Sequence, residues 1–326
     1  MSLSILLVLC TPAVVFGEPL HGPITPHFQT WLTTNGYGEY HFERSDYGSR
    51  GSFGGKANSS TKITKAPVIF LHGNTDSALH NNEFSTGFSR SIRYFLKNGY
   101  GPEEIYSTSW GDINPNHAPL RSHKCAYLTY LRKFLEAVLA YTEAHKVSIV
   151  AHSMGATLGR KIIKGGKSVS DDGECDLGAP LNHKIKIFLS ISGAHYGICA
   201  CGGTVAEEKL TCGAQSGFFP GNSCGTAYNC SSTPSTEPCP ESKLHYSEFL
   251  TALNADQTKE ADFVYSIWSQ DDDLILYNNL AWGRLTSLIP NSDGHKIFKG
   301  FGHMATKDRT AADQLAIIEK RFRRRY

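Results

Sequence analysis

Val147-Ser148-Ile149-Val150-Ala151-His152-Ser153-Met154-Gly155-Ala156-Thr157-Leu158-Gly159-Arg160-Lys161-Ile162-Ile163 is the stretch whose reading decides the fold. Val147 to Val150 is apolar and β-branched apart from one serine, as in a strand buried within a parallel sheet. Ala156 to Ile163 has the apolar spacing of a short amphipathic helix. Between them lies the pentapeptide Ala151-His152-Ser153-Met154-Gly155. A strand that turns straight into a helix at a serine makes a nucleophile elbow, with the hydroxyl held out at the sheet edge. Such a turn crowds its backbone, so small residues are needed at 151 and 155. Taken alone, the pentapeptide is equally compatible with an ordinary serine at a strand–helix junction. The remainder of the chain has to supply the partners.

The same rhythm extends in both directions. Pro67-Val68-Ile69-Phe70-Leu71 reads as a buried strand ending in the turn His72-Gly73-Asn74-Thr75. A helix is expected around Phe84 to Asn98, with Phe88, Ile92 and Phe95 on one face, then a strand over Ile105 to Ser109. From Ala126 to His145, Leu128, Leu131, Leu135, Val138, Leu139 and Thr142 follow helical spacing. Further strands are expected at Ile185 to Ile191, Phe263 to Trp268 and near His295 to Phe298, and a last helix at Ala311 to Arg323. Strands alternating with helices predict an α/β fold: a mostly parallel central sheet with helices on both faces. No internal repeat is visible. Residues 196–241 break the alternation, being rich in Cys, Gly, Ser, Thr and Pro, and read as a disulfide-rich insertion. The expected organisation is therefore a signal peptide over 1–17 and one α/β domain over 18–326 that carries this insertion.

Composition sets the outer limits. The chain has 326 residues, 40% hydrophobic and 19% charged, enough to bury a large core. A net charge of +2 gives no reason to expect a nucleic-acid partner. The basic end Arg321-Phe322-Arg323-Arg324-Arg325-Tyr326 reads as a solvated helix end, with contact to anionic lipid as the sharper alternative. Leu3 to Phe16 is mostly apolar, and Val15-Phe16-Gly17 suits a signal-peptide cleavage site. The run is short for a transmembrane span, and export to the extracellular space is expected. Of nine cysteines, Cys10 would leave with the signal peptide. Cys125, Cys175, Cys199, Cys201, Cys212, Cys224, Cys230 and Cys239 remain, an even set that suggests disulfides. A zinc knuckle is the weaker reading, because the CxxC pairs are missing. Asn58-Ser59-Ser60 and Asn229-Cys230-Ser231 are N-glycosylation patterns.

A serine hydroxyl needs a base to become a nucleophile, and the base needs an orienting acid. In the α/β-hydrolase arrangement these follow in the order Ser, acid, His at the ends of later strands. Ser269-Gln270-Asp271-Asp272-Asp273-Leu274-Ile275 follows the strand ending at Trp268, and Asp273 is favoured as the acid, with Asp272 second. A calcium site in this run lacks the spaced ligands. His303 lies in the glycine-flanked loop Lys299-Gly300-Phe301-Gly302-His303 after the last strand and is the expected base. The oxyanion would be met by the backbone N–H groups of Met154 and of Asn74, which follows His72-Gly73.

With these residues in hand, Pro67 to Asn74, Ala151 to Gly155, Asp273-Leu274-Ile275 and Gly302-His303 resemble the class 2 lipase family, particularly its secreted nematode branch. Small bacterial extracellular lipases of the family share the alanine that opens Ala-His-Ser-Met-Gly. The resemblance runs from about Trp31 to Ala316, and the Cys-rich segment departs from the bacterial form. It implies a Ser-His-Asp hydrolase of lipid carboxylic esters, working at a lipid–water interface without an organic cofactor or metal. A soluble-ester, phospholipid or thioester hydrolase, or a catalytically silent lipid-binding protein, is the alternative. Ser216-Gly217-Phe218-Phe219-Pro220 would then supply exposed aromatics for a lipid-facing flap, against the alternative of a structural disulfide knot.

Overall fold

The computed structural model describes residues 20–202, 205–221, 246–281 and 283–320. The expected signal peptide, Cys224, Cys230, Cys239, the Asn229 pattern, about half of the insertion and the basic end lie outside them. The strands in chain order are β1 (Ser52–Phe53), β2 (Val68–Leu71), β3 (Ile105–Thr108), β4 (Val147–His152), β5 (Lys167–Ser170), β6 (Gly173–Asp176), β7 (Ile185–Ile191), β8 (Phe263–Ser269), β9 (Leu280–Ala281), β10 (Arg284–Leu285) and β11 (Gly294–Phe298). The helices are α1 (Pro26–Thr34), α2 (Ser89–Lys97), α3 (Cys125–Thr142), α4 (Met154–Lys164), α5 (Val205–Glu208), α6 (Glu248–Ala255), α7 (His303–Arg309) and α8 (Ala311–Ile318).

Seven strands form one sheet in the order β1-β3-β2-β4-β7-β8-β11. Only β1 is antiparallel to its neighbour; the other pairs are parallel. Every residue of β2, β3 and β4 is buried, which explains the unbroken apolar run of β2 and the mainly apolar β4. Successive side chains of a strand point to opposite faces. Ile149 therefore packs with Phe28, Leu131, Leu135, Ile163 and Leu250 from α1, α3, α4 and α6. Val150 packs with Ile92, Phe95, Leu315 and Ile318 from α2 and α8. The fold is thus the α/β-hydrolase fold expected, with helices on both faces.

Three features differ from the sequence expectation. A hairpin, β5–β6, follows α4 and is pinned to the start of α3 by the Cys125–Cys175 disulfide. Its Asp172 carboxylate accepts from the Cys125 and Ala126 N–H groups at 2.8 and 3.0 Å, satisfying donors that a helix start leaves open. His303 is not in a loop: it opens helix α7, with Gly302 as the N-cap. The exposed flap of Phe218 and Phe219 is overturned. Phe218 is 6% exposed and sits edge-on to His123 at 4.8 Å, and Phe219 is half-buried. The nearby Cys201–Cys212 disulfide closes this segment, and Phe218 N–H donates to Thr211 O at 2.7 Å, so the phenyl rings turn inward.

Candidate active site

Ser153 joins β4 to α4 with φ 54° and ψ −128°. A non-glycine residue in this region stores on the order of 1–3 kcal/mol of strain, held here by its surroundings. Its N–H donates to Ile191 O of the neighbouring strand at 2.9 Å. The expected need for small residues is met literally at one position: a Cβ on Gly155 would lie 2.3 Å from His72 O and 2.6 Å from Leu71 O. A Cβ on Gly73 would come within 2.8 Å of Ser153 Cβ, so the turn after β2 lies directly against the serine.

That turn is held rigidly. His72 Nε2 accepts the Trp110 backbone N–H at 3.0 Å, which leaves its proton on Nδ1, donated to Gly73 O at 2.8 Å. Burial lowers the His72 pKa to about 4, keeping the ring neutral. Gly73 O also accepts from Asp76 N–H at 3.3 Å. The Gly73 carbonyl and the Asn74 N–H share one planar peptide, so fixing the first fixes the direction of the second. Asn74 N–H makes no hydrogen bond among the described residues, and neither does Met154 N–H at the start of α4. The Asn74 side chain is clamped as well: Arg121, 2% exposed, donates to its Oδ1 at 3.0 Å, and its Nδ2 donates to Ala118 O at 3.0 Å.

The three aspartates after β8 divide the work on the segment after β11. Asp271 accepts from Gly300 N–H at 2.6 Å. Asp273 accepts from His303 backbone N–H at 2.7 Å, capping α7. Asp272, 3% exposed, faces the imidazole, with Oδ2 at 2.8 Å and Oδ1 at 3.1 Å from His303 Nδ1. The preference for Asp273 as the side-chain partner is therefore corrected to Asp272. Adjacent residues on a turn point in different directions, and here the buried one turns to the ring. Asp272 Oδ1 also accepts Leu274 and Ile275 N–H groups at 3.0 and 2.9 Å. Burial would raise this carboxyl, but His303 and those N–H groups hold it below the usual range.

His303 itself is 6% exposed, and its Nε2 is buried with no hydrogen-bond partner among the described residues. Its ring lies 4.6 Å from that of His152, the residue before Ser153, and His152 Nε2 donates to His303 O at 3.3 Å. Burial, then the His303 charge, lowers the His152 pKa well below 6.5. The site thus gathers Ser153, His303, Asp272, Asn74 and Met154 at the carboxyl ends of β2, β4, β8 and β11, where parallel sheets place their ligand sites. His152, Arg121, Asp76 and Lys307 were not singled out from the sequence. Only His152, inside the elbow pentapeptide, carries a local signal. Among the described residues no cluster of His, Cys, Asp and Glu is arranged to hold a metal ion.

Residues 65–316 match the family model for lipase (class 2). The chain belongs to the class 2 lipase family. This is a family of carboxylic ester hydrolases, and every site residue above lies inside the matched span. No curated protein matches the chain in sequence. Among solved structures the class 2 lipase chain is similar to Bacillus licheniformis lipase BlEst2 in its propeptide form, with TM-score 0.51 and 12% identity over 82% of this chain and 53% of that one. The mature form of BlEst2 gives 0.47 and 12% over 81% and 96%. Aspergillus fumigatus lipase B gives 0.48 and 12% over 82% and 55%. The chain spans about half the length of two of these three. The likeness at TM-score 0.51 is one of fold.

Proposed function

We propose that this class 2 lipase is an exported serine hydrolase that cleaves carboxylic esters of lipids through Ser153, His303 and Asp272. The observation that carries the reading is the strained Ser153 elbow beside a buried imidazole whose Nδ1 is held by Asp272 and whose Nε2 has no competing donor. Ser153 Oγ attacks the ester carbonyl while His303 Nε2 takes its proton, and Asp272 stabilises the imidazolium. The Asn74 and Met154 N–H groups receive the oxyanion. His303 then returns the proton to the leaving alcohol, giving an acyl-enzyme that water hydrolyses by the same steps in reverse roles.

An aggregated lipid as the substrate is supported by the rim of the site. Phe84, Leu120, Leu274, Leu276 and Tyr277 are large apolar residues exposed by 68, 53, 48, 42 and 56%. They lie on the loops that leave β2, β3 and β8, of which the first also carries Asn74 and the last Asp272. Two disulfides support an oxidising compartment, and no helix of the described residues is long and apolar enough to cross a membrane. A panel of p-nitrophenyl esters beside emulsified triglyceride and phospholipid tests the reading. Turnover should be lost in Ser153→Ala and be higher on emulsions than on monomeric ester. Ester turnover that survives Ser153→Ala would overturn it.

A further inference from the structure

Asp76 and Lys307 are buried charged residues that no step of the proposed mechanism uses, at 1% and 0% exposure. Lys307 Nζ donates to Asp76 Oδ2. The other carboxylate oxygen accepts the Ser77 and Gly87 N–H groups at 2.9 and 2.8 Å and the Ser85 hydroxyl at 3.2 Å. Asp76 is therefore saturated by the loop that follows β2, and its own N–H closes the turn onto Gly73 O. On the other side, Lys307 follows His303 by four residues in α7, so the two side chains rise from the same helix face. Thr86 Oγ1, bonded to Asp308 at 3.2 Å, makes a second tie between the same two segments.

We propose that the Asp76–Lys307 pair is a positioning brace for ester hydrolysis, fixing the Asn74 N–H against the His303 imidazole by tying the Gly73–Asp76 turn to α7. This rests on the catalytic reading given under Proposed function. The oxyanion donor and the base come from loops far apart in the chain, and an acyl transfer needs both at defined distances from one carbonyl. A buried ion pair is a poor route to stability, because taking two charges out of water offsets their attraction. It is a good route to a single geometry, since each charge tolerates no other position. Burial alone would raise the Asp76 carboxyl, and Lys307 holds it below its usual range instead, so Asp76 stands as a carboxylate. Neither residue touches the reacting atoms; both act through the turn and the helix.

The test compares the double variant Asp76→Asn/Lys307→Met with wild type on a soluble p-nitrophenyl ester. The double variant removes both charges at nearly constant volume, and Asp308, whose carboxylate lies 3.8 Å from Lys307 Nζ, keeps its hydrogen bond from Thr86. Lys307→Gln, which keeps a donor for Asp76, is the second variant should the first not fold. The brace predicts thermal midpoints near that of wild type and a KM changed by less than about twofold. It predicts kcat lowered by about 10- to 100-fold, the scale of a misplaced catalytic group. A folded variant with wild-type kcat overturns the brace, as does a kcat loss that only follows a falling thermal midpoint and recovers on cooling the assay. Absence of turnover in wild type would instead strike the catalytic reading itself.

Discussion

Exchange of Asp272 for asparagine should disable the site through a single proton. Asp272 Oδ1 is held by the N–H groups of Leu274 and Ile275 at 3.0 and 2.9 Å. An asparagine keeps its carbonyl oxygen on those two donors, which places its NH2 where Oδ2 stands, 2.8 Å from His303 Nδ1. An amide nitrogen only donates, so Nδ1 must become the acceptor and the ring proton moves to Nε2. That nitrogen can then no longer take the Ser153 proton. A carboxylate-to-amide exchange at this place in a serine triad costs about 10⁴ in kcat, or roughly 5.5 kcal/mol of transition-state stabilisation. Asp273→Asn is the internal control. Its carbonyl oxygen can still accept the His303 backbone N–H, and only the charge at the start of α7 is lost, about 0.3–1 kcal/mol and so at most about fivefold. Both variants are assayed for kcat on a p-nitrophenyl ester, with thermal melts as a check on folding. A larger loss in Asp273→Asn, or near-normal activity in a folded Asp272→Asn, would refute the reasoning.

Acid should destabilise the fold well above the carboxylate range. Burial lowers His72 and His123 from 6.5 to about 4, so the unfolded chain binds protons that the folded chain refuses. Stability is then present above about pH 6.5 and falls as the pH drops toward 4, by about 2 kcal/mol for each of the two at pH 5. His152 and His195, also lowered by burial, add in the same direction. Guanidinium midpoints at pH 7.5 and 5.0 measure the effect, and equal midpoints would contradict it. Leu274→Ser/Leu276→Ser should cut activity on emulsified triglyceride at least severalfold while sparing soluble esters, as parallel assays would show. Cys125→Ser/Cys175→Ser opens a cross-link spanning 50 residues, and the loop-entropy relation gives a loss of up to about 4 kcal/mol in denaturant unfolding.

The sheet could be read because its long strands are mainly apolar, interrupted only singly, as by Ser148 in β4 and by Lys186 and Ser190 in β7. β2, β4 and β7 lie within or at the stretches named from the sequence, and the elbow follows from strand, serine and helix in succession. The small strands β1, β5 and β6 carry no such run: β5 alternates exposed and buried residues over only four positions and β6 is largely exposed. Phe218 misled for a related reason. Hydrophobicity in an irregular segment says nothing of direction, and the Cys201–Cys212 bridge turns it inward. Favouring Asp273 over Asp272 fails because each carboxylate does grip the His303 segment, Asp272 at the ring and Asp273 at the backbone. The Asp76–Lys307 pair lies across more than two hundred residues of chain. No periodicity couples such positions, and only packing brings them together.

The central claim, a nucleophilic Ser153 activated by His303, is tested most directly by a fluorophosphonate probe followed by peptide mass mapping. One adduct per chain is predicted, on the peptide that contains Ser153, with none in folded Ser153→Ala and strongly slowed labelling in His303→Ala. A folded, unlabelled wild-type protein, or an adduct on another serine with ester turnover lost, would contradict the account.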